Sequence, residues 1–338
     1  MKVFSNFTEA YQYLLSDVYN NPDFEPSPRG QKIKEKIGVT FRITNPRNRL
    51  PYVKGRDFNV SYFVAESIWY LSGNDSTEWI ANYSSFWRNI SDDGKTANSA
   101  YGSRIFKPHN RISRGVEPVK SQWDYVIDEL CQDNDSRRAV VHIRSPQDSF
   151  LAKKDVPCTL TLQFFLRDDK VHLVTSMRSS DLILGIAYDV PAFTLFQELL
   201  ANQLTQRLGR QIGLGSYTQT SNSLHVYEKH FGMVESIISE KTNYNVPEMP
   251  PLPLGELPID GLMKFEDICR ISSSQGELFD ALWTSDKIIG TSHPYWDDWA
   301  TIIAAHRAGK LGILEPEIFA QKKLMSTAKF EGYRFFNK

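Results

Sequence analysis

The sequence predicts a mixed α/β fold of the α+β kind, and three observations carry the prediction. Apolar runs of strand length cluster mid-chain at 138–145, 158–166 and 171–176. Two longer apolar stretches with the spacing of buried helices flank them, at 59–71 and 190–208. A proline-dense seam then divides a main domain, 1–246, from an appendage, 247–338. A chain of 338 residues can bury one large core, or a core plus such an appendage.

Each element has a local reason. NVSYFVAESIWYL (59–71) is densely apolar around one carboxylate, Glu66, and Gly73 follows as a helix stop. RAVVHIRS reads as a strand. CTLTLQFFL alternates at Leu160, Leu162 and Phe164 and meets the turn signal Asp168-Asp169 before VHLVTS. In 190–208, Val190 and Phe193 lead into Phe196, Leu199, Leu200 and Leu204, and Gly209 stands at the expected cap. Pro247, Pro250, Pro251, Pro253 and Pro258 make the seam extended, since proline cannot continue a helix. Residues 295–309 beyond it have helical character, so the appendage is expected to be mostly α.

Composition narrows the function classes. With 39 basic and 40 acidic residues the net charge is −1, which argues against a DNA-coating or membrane-surface protein while allowing a local basic pocket. Cys131, Cys158 and Cys269 are odd in number and far apart, which excludes a disulfide framework and a four-cysteine zinc site. The opening residues lack the apolar run of a signal peptide, and no segment approaches the roughly 20 apolar residues of a membrane span. The expectation is a soluble cytoplasmic protein without a metal, a membrane partner or a nucleic-acid partner.

Several residues could carry chemistry. Cys158, after Pro157, reads alone as a small buried hydrophobe. A zinc deaminase would need a second cysteine three positions on, but Thr159, Leu160 and Thr161 follow. Its neighbours in sequence point further: Arg137 and Arg138 lie upstream, and Arg178, Ser179 and Asp181 downstream. Adjacent arginines often form a solvated strand edge, yet guanidinium is also the preferred bidentate partner of phosphate and favours a nearby thiolate. Glu66 is either a paired structural carboxylate or a buried acid–base group with a raised pKa. His225 and Tyr227, two apart, share a face if their segment is a strand. They read equally as a packed pair or as two hydroxyl-reading groups. GLGSYT is too short for a dinucleotide loop.

Taken in order, these segments resemble the thymidylate synthase family from about residue 29 to 230. AESIWYLSGN resembles its Glu-Leu-Leu-Trp-Phe-Leu-x-Gly helix, FWRN and SAYG its Trp and Tyr-Gly segments, and DSRR its paired arginines. PCTLTLQFFL resembles the Pro-Cys strand, RSSDLILGIAYDV the Arg-Ser-x-Asp-x-x-Leu-Gly-x-Pro-Phe-Asn-Ile signature, and LHVYEKH the His-x-Tyr-x-x-His segment. The resemblance implies a large twisted mixed sheet flanked by helices, and an obligate homodimer through the sheet face with shared sites. It also implies one-carbon transfer from 5,10-methylenetetrahydrofolate to C5 of a pyrimidine nucleoside monophosphate. Cys158 would add to C6, Glu66 would organise the proton relay and Tyr101 would help remove the C5 proton. Arg178 and Ser179 would hold phosphate, joined by Arg29, while Arg137 and Arg138 would reach the phosphate of the neighbouring subunit. His225 and Tyr227 would bind the sugar hydroxyl, and Trp87, Asp181, Gly185 and Tyr188 would line the folate pocket.

The departures from that pattern are informative. Asp189 stands where dUMP-using synthases have the asparagine that reads uracil. A carboxyl group accepts from the amine of cytosine and, when protonated, donates to its N3. The cytidylate hydroxymethylase branch shows the same exchange. Ile90 replaces the second tryptophan, Ala187-Tyr188 replace Pro-Phe, Met177 replaces a glutamine, and Thr159 follows the cysteine. The synthase's short apolar tail, which keeps water from the exocyclic methylene intermediate, has no visible counterpart in FEGYRFFNK. That favours water addition and a 5-hydroxymethyl product, whereas the retained Trp87 argues the other way. The expectation is a folate-dependent 5-hydroxymethylase of dCMP or CMP. The rivals are a dUMP-methylating synthase and a catalytically idle relative that binds nucleotide or RNA.

Overall fold

The computed structural model describes residues 1–108, 120–150, 154–311 and 327–336. Its centre is a mixed seven-stranded sheet. The strands are β1 (Lys2–Phe4), β2 (Ile33–Ile43), β3 (Val140–His142), β4 (Thr159–Arg167), β5 (Lys170–Met177), β6 (Ser180–Asp181) and β7 (Gly213–Tyr227). They run in the order β1-β2-β7-β5-β4-β3, with β6 also paired to β7. β7 is antiparallel to β2 but parallel to β5 and β6, so the 15-residue strand joins two differently directed halves.

The β4–β5 hairpin follows from its turn. Asp168 and Asp169 both have φ 51°, the left-handed region that a two-residue hairpin turn demands and that aspartate tolerates better than most residues. This fixes Arg167 opposite Lys170 and Phe164 opposite Leu173. Leu162, Phe164, Leu166, Val171, Leu173 and Met177 then share the buried face. Leu160 departs from the expected alternation and is only half-buried, because the ladder is irregular between Thr159 and Thr161 and Thr159 turns inward instead. The strand read over 138–145 contracts to β3, leaving Arg137 and Arg138 exposed just before it.

Helices cover the buried face. The principal ones are α1 (Phe7–Asn20), α2 (Val60–Leu71), α3 (Thr77–Ile80), α4 (Phe86–Ile90), α5 (Tyr101–Phe106), α6 (Gln122–Gln132), α7 (Gln147–Phe150) and α8 (Ile186–Leu208). α8 is apolar nearly all round and buried through the middle, packing on β5 and β7. It begins four residues before the expected 190, so that Pro191 lies inside it, and it ends at Gly209 with φ 63° as the cap requires. α5 crosses α2 closely: a Cβ on Gly102 would meet the Tyr70 carbonyl oxygen at 2.1 Å, so only glycine fits.

Beyond α9 (Phe231–Ser239) the proline seam lies along α8. Leu252 N–H donates to Glu198 Oε1 (3.1 Å), and Asn202 Nδ2 donates to the Leu252 carbonyl (2.9 Å). Helices α10 (Ile259–Ile271), α11 (Gln275–Trp283), α12 (Ser285–Ile289) and α13 (Pro294–Lys310) follow, so the described part of the appendage beyond the seam is mostly helical. α10 and α13 pack on α2, and Trp296, Trp299 and Ile303 belong to the same continuous apolar core as the sheet. Among the described residues, no helix is long and apolar enough to cross a membrane.

Candidate active site

The first turns of α8, the beginning of β4 and the pocket-facing side of α2 converge. Cys158 immediately precedes β4, and its carbonyl accepts from the Arg178 N–H (2.9 Å). The Arg178 guanidinium folds back over the same loop, donating from Nε to the Pro157 carbonyl (2.9 Å) and from Nη2 to the Val156 carbonyl (2.7 Å). Burial pushes the Cys158 thiol up, and Arg178 and Arg29 oppose that push. The expectation that arginine would favour the thiolate is therefore met in sign but outweighed by desolvation in the free chain. Behind the cysteine, two departures from the family pattern are partners: Thr159 Oγ1 donates to Met177 Sδ (3.2 Å) across paired strands.

Glu66 is buried on α2, and its carboxyl is the hub of a hydrogen-bonded chain. Tyr62, one turn earlier, and Tyr70, one turn later, both donate to Oε1, at 2.5 and 3.0 Å. Trp87 on α4 donates from Nε1 to the Tyr62 hydroxyl (3.0 Å). Burial, with the nearby charge of Asp189 adding to it, raises Glu66 to about 8 against the two hydrogen bonds that lower it. Asp189, in the first turns of α8, is raised to about 7 by burial and then by Asp181. Tyr101 on α5 stacks on Tyr70 at 5.5 Å, lies within hydrogen-bonding reach of Thr159, and feels the charges of Asp189 and Cys158.

Asp181 pairs with His225 through β6 and β7, and its Oδ1 accepts from the Ile183 N–H (2.7 Å). Gly185 stands at the head of α8, where a Cβ would meet the Asp181 carbonyl oxygen at 3.0 Å and Asp189 Oδ2 at 3.4 Å. His225 and Tyr227 share one face of β7 with ring centroids 5.2 Å apart, as the spacing predicts. Arg29, on the Pro28–Gly30 turn with φ 54°, comes within hydrogen-bonding reach of Tyr227. Ser179 is half-buried between β5 and β6.

Tyr188 closes one wall. Phe58 stacks on it at 4.9 Å, Tyr62 meets it edge-on at 4.8 Å, and the Asn59 N–H donates to its hydroxyl (3.1 Å). Arg56 lies over the same ring at 5.5 Å, buried, its Nε without a hydrogen-bond partner among the described residues. Phe336, the last described residue, also lies nearby. Phe336 stacks on Tyr52 at 5.2 Å and packs on Phe58 at 5.0 Å, one ring away from Tyr188. Phe336 thus lies one aromatic ring from Tyr188, on the side of the site that the resemblance assigns to the folate.

Cys158, Glu66, Tyr101, Asp189, Arg29, Arg178, Ser179, His225, Tyr227, Trp87, Asp181, Gly185 and Tyr188 thus come together. Arg137 and Arg138 do not. Both are exposed, Arg138 is held by Glu129 (2.8 Å), and no hydrogen bond or ion pair among the described residues joins either to the group. Tyr62, Tyr70, Arg56 and Phe58 were not singled out from sequence, although the i±4 spacing of both tyrosines from Glu66 was a readable signal. Among the described residues, no cluster of three or more His, Cys, Asp or Glu could hold a metal ion.

A mixed sheet with a cysteine at the head of β4, a buried pair of raised carboxyl groups and an arginine-framed loop is the setting of a known class: the chain belongs to the thymidylate synthase family, whose model matches residues 9–265. Among curated proteins it is 33% identical over 229 residues to the deoxyuridylate hydroxymethyltransferase of Bacillus phage SP01, covering 67% of this chain and 58% of that one. It is 32% identical over 218 residues to the deoxyuridylate hydroxymethyltransferase of Delftia phage PhiW-14, covering 60% and 56%. To the deoxycytidylate 5-hydroxymethyltransferase of Enterobacteria phage T4 it is 30% identical over 237 residues, covering 67% and 89%. The chain therefore spans little more than half the length of the first two relatives and most of the third.

Proposed function

We propose that this protein transfers a one-carbon unit from methylenetetrahydrofolate to C5 of a cytidine nucleoside monophosphate, dCMP or CMP, and releases the 5-hydroxymethyl product. The observation that carries the reading is Asp189, a carboxyl group raised to about 7 at the position that would meet the base. Near neutrality such a group exists in both forms. It can accept from the cytosine amine and, when protonated, donate to N3. An asparagine there would suit uracil, and a mismatched buried polar group costs on the order of 10⁴-fold in selectivity.

Cys158 adds to C6, and the electron pair of the C5–C6 double bond makes C5 nucleophilic. Arg178, Ser179 and Arg29 hold the phosphate, and His225 with Tyr227 holds the sugar. Glu66 and Tyr101 move protons at the base, each contributing roughly 10²–10⁴-fold. The folate, when bound, supplies the one-carbon unit. The residues present suit it: Trp87 and Tyr188 give flat apolar surface, Asp181 and Gly185 complete the wall, and Arg56 brings beside Tyr188 a buried Nε without a hydrogen-bond partner among the described residues. Homodimerisation through the half-exposed outer face of the sheet would let Arg137 and Arg138 reach the partner's phosphate. Residues 1–246 are read as the catalytic unit and 247–338 as an extension that braces α2.

The names of the relatives support hydroxymethyl transfer over methyl transfer. Those of the Bacillus and Delftia phage proteins favour a second reading in which the base is uracil. Incubation with methylenetetrahydrofolate and each of dUMP, dCMP, UMP and CMP, read by product mass, separates the possibilities. Hydroxymethylated cytidylate supports the proposal. Turnover of dUMP alone would sink it, and no turnover of any nucleotide would point to a binding protein.

A further inference from the structure

The proposed chemistry leaves Tyr62 without a role, yet its hydroxyl is held from two sides, by Glu66 and by Trp87. An indole N–H can only donate, so Tyr62 must accept from Trp87 Nε1 at 3.0 Å. Its own proton is thereby directed at Glu66 Oε1, 2.5 Å away. Tyr70 donates to that same oxygen at 3.0 Å. With two donors on Oε1, a proton taken up by Glu66 resides on Oε2, the oxygen left without a protein donor among these contacts. Tyr62 also meets the Tyr188 ring edge-on at 4.8 Å, so one side chain touches the acid–base carboxyl and two aromatic walls.

We propose that Tyr62 is a positioning residue that locks Glu66 and Trp87 into one geometry for the water-addition step. The inference rests on the functional reading above. In that step the oxygen of a water molecule bonds to the exocyclic methylene carbon, and one water proton passes to the Glu66 carboxylate. The electron pair of the exocyclic double bond moves into the ring, which then expels the Cys158 thiolate from C6. No oxidant or reductant is consumed. A carboxylate whose Oε1 is pinned keeps Oε2 aimed at the water, and a loss of aim of about 1 Å can cost on the order of 10²-fold. The groups that face Glu66 are Tyr62 and Tyr70 from its own helix and Asp189 and Tyr188 from α8, so removing one hydroxyl changes a countable set.

The test is Tyr62→Phe, which keeps the ring and its contact with Tyr188 and deletes only the hydroxyl. Exchange of the nucleotide C5 hydrogen with solvent deuterium, run without folate, reports Cys158 addition and the proton relay alone. Full turnover with methylenetetrahydrofolate is measured beside it. The expected result is a pH limb displaced upward in both assays, because a hydrogen bond favouring the carboxylate is lost. Turnover should also fall by about 10²-fold with nucleotide KM unchanged. A Tyr62→Phe enzyme with the wild-type limb and rate overturns the inference while leaving the functional reading standing. Wild-type protein with neither exchange nor product overturns the reading beneath it. If Tyr62→Phe no longer binds nucleotide, Trp87→Phe decides through the folate-free exchange assay: without the indole donor the Tyr62 hydroxyl holds the Glu66 carboxylate less firmly, so the pH limb should move upward, and an unchanged limb overturns the proposal.

Discussion

Glu66 and Asp189 project from different helices toward one pocket, and the charge of Asp189 adds to burial in lifting Glu66 to about 8. Asp189 itself rises to about 7. Two carboxyl groups that both titrate near neutrality allow one site to hold a neutral hydrogen-bond donor and a proton acceptor together. The predictions below follow from that relationship and from the scaffold that enforces it.

Cys158→Ser should abolish turnover while nucleotide binding persists, because the hydroxyl preserves shape but is a far weaker nucleophile. Calorimetric nucleotide titration beside a turnover assay checks this. Retained activity would mean that Cys158 is not the attacking group.

The affinity for cytidylate should fall as pH rises through about 7, the value to which Asp189 is raised, because only the protonated carboxyl donates to N3. Asp189→Asn should remove this one-proton dependence and move preference toward the uracil nucleotide by several powers of ten, up to about 10⁴-fold. Binding isotherms across pH for both proteins read the effect. An unchanged base preference would show that Asp189 does not face the base.

Glu198→Ala should destabilise the fold by about 3–5 kcal/mol, since it strands the fully buried Arg49. Burial alone would raise the Glu198 pKa, but Arg49 and Arg47 hold it below the ordinary range. Its stabilising contribution is therefore complete above the ordinary glutamate range and is lost as pH falls through the depressed value. Urea midpoints at neutral and acid pH should show a gap between wild type and variant that narrows on acidification.

Phe336→Ala should raise the KM for the folate about fivefold and leave nucleotide binding unchanged. It removes the ring that packs against Tyr52 and Phe58, and such pairs contribute about 1 kcal/mol. Equal changes in both affinities would separate the tail from the folate side of the pocket.

How much of this was legible in the sequence depends on the range of the interaction. The β4–β5 hairpin, α2, α8 with its Gly209 cap and α13 follow from local pattern, and they appear close to where the pattern puts them. β2 has no clean alternation to mark it, since its burial follows its strand neighbours, and α1 follows from none of the local patterns that mark the other helices. The catalytic candidates are legible through resemblance, and the spacing of Tyr62 and Tyr70 from Glu66 through the helical repeat, but their convergence on Glu66 Oε1 exists only once the helix is built and buried. The contact of Phe336 with Phe58 has no local signal at all, since it joins residues far apart in the chain. Nor does sequence show that burial outweighs Arg178 and Arg29 at Cys158, since that balance exists only once the pocket is built.

The central claim is that this pocket reads cytosine and adds hydroxymethyl. Its most direct test is a one-pot competition: equal dCMP and dUMP with methylenetetrahydrofolate and the wild-type protein, with every product identified by mass. The account predicts that dCMP is consumed first and gains one CH₂O unit. Preferential consumption of dUMP, or a product that gains only a methyl group, would contradict it.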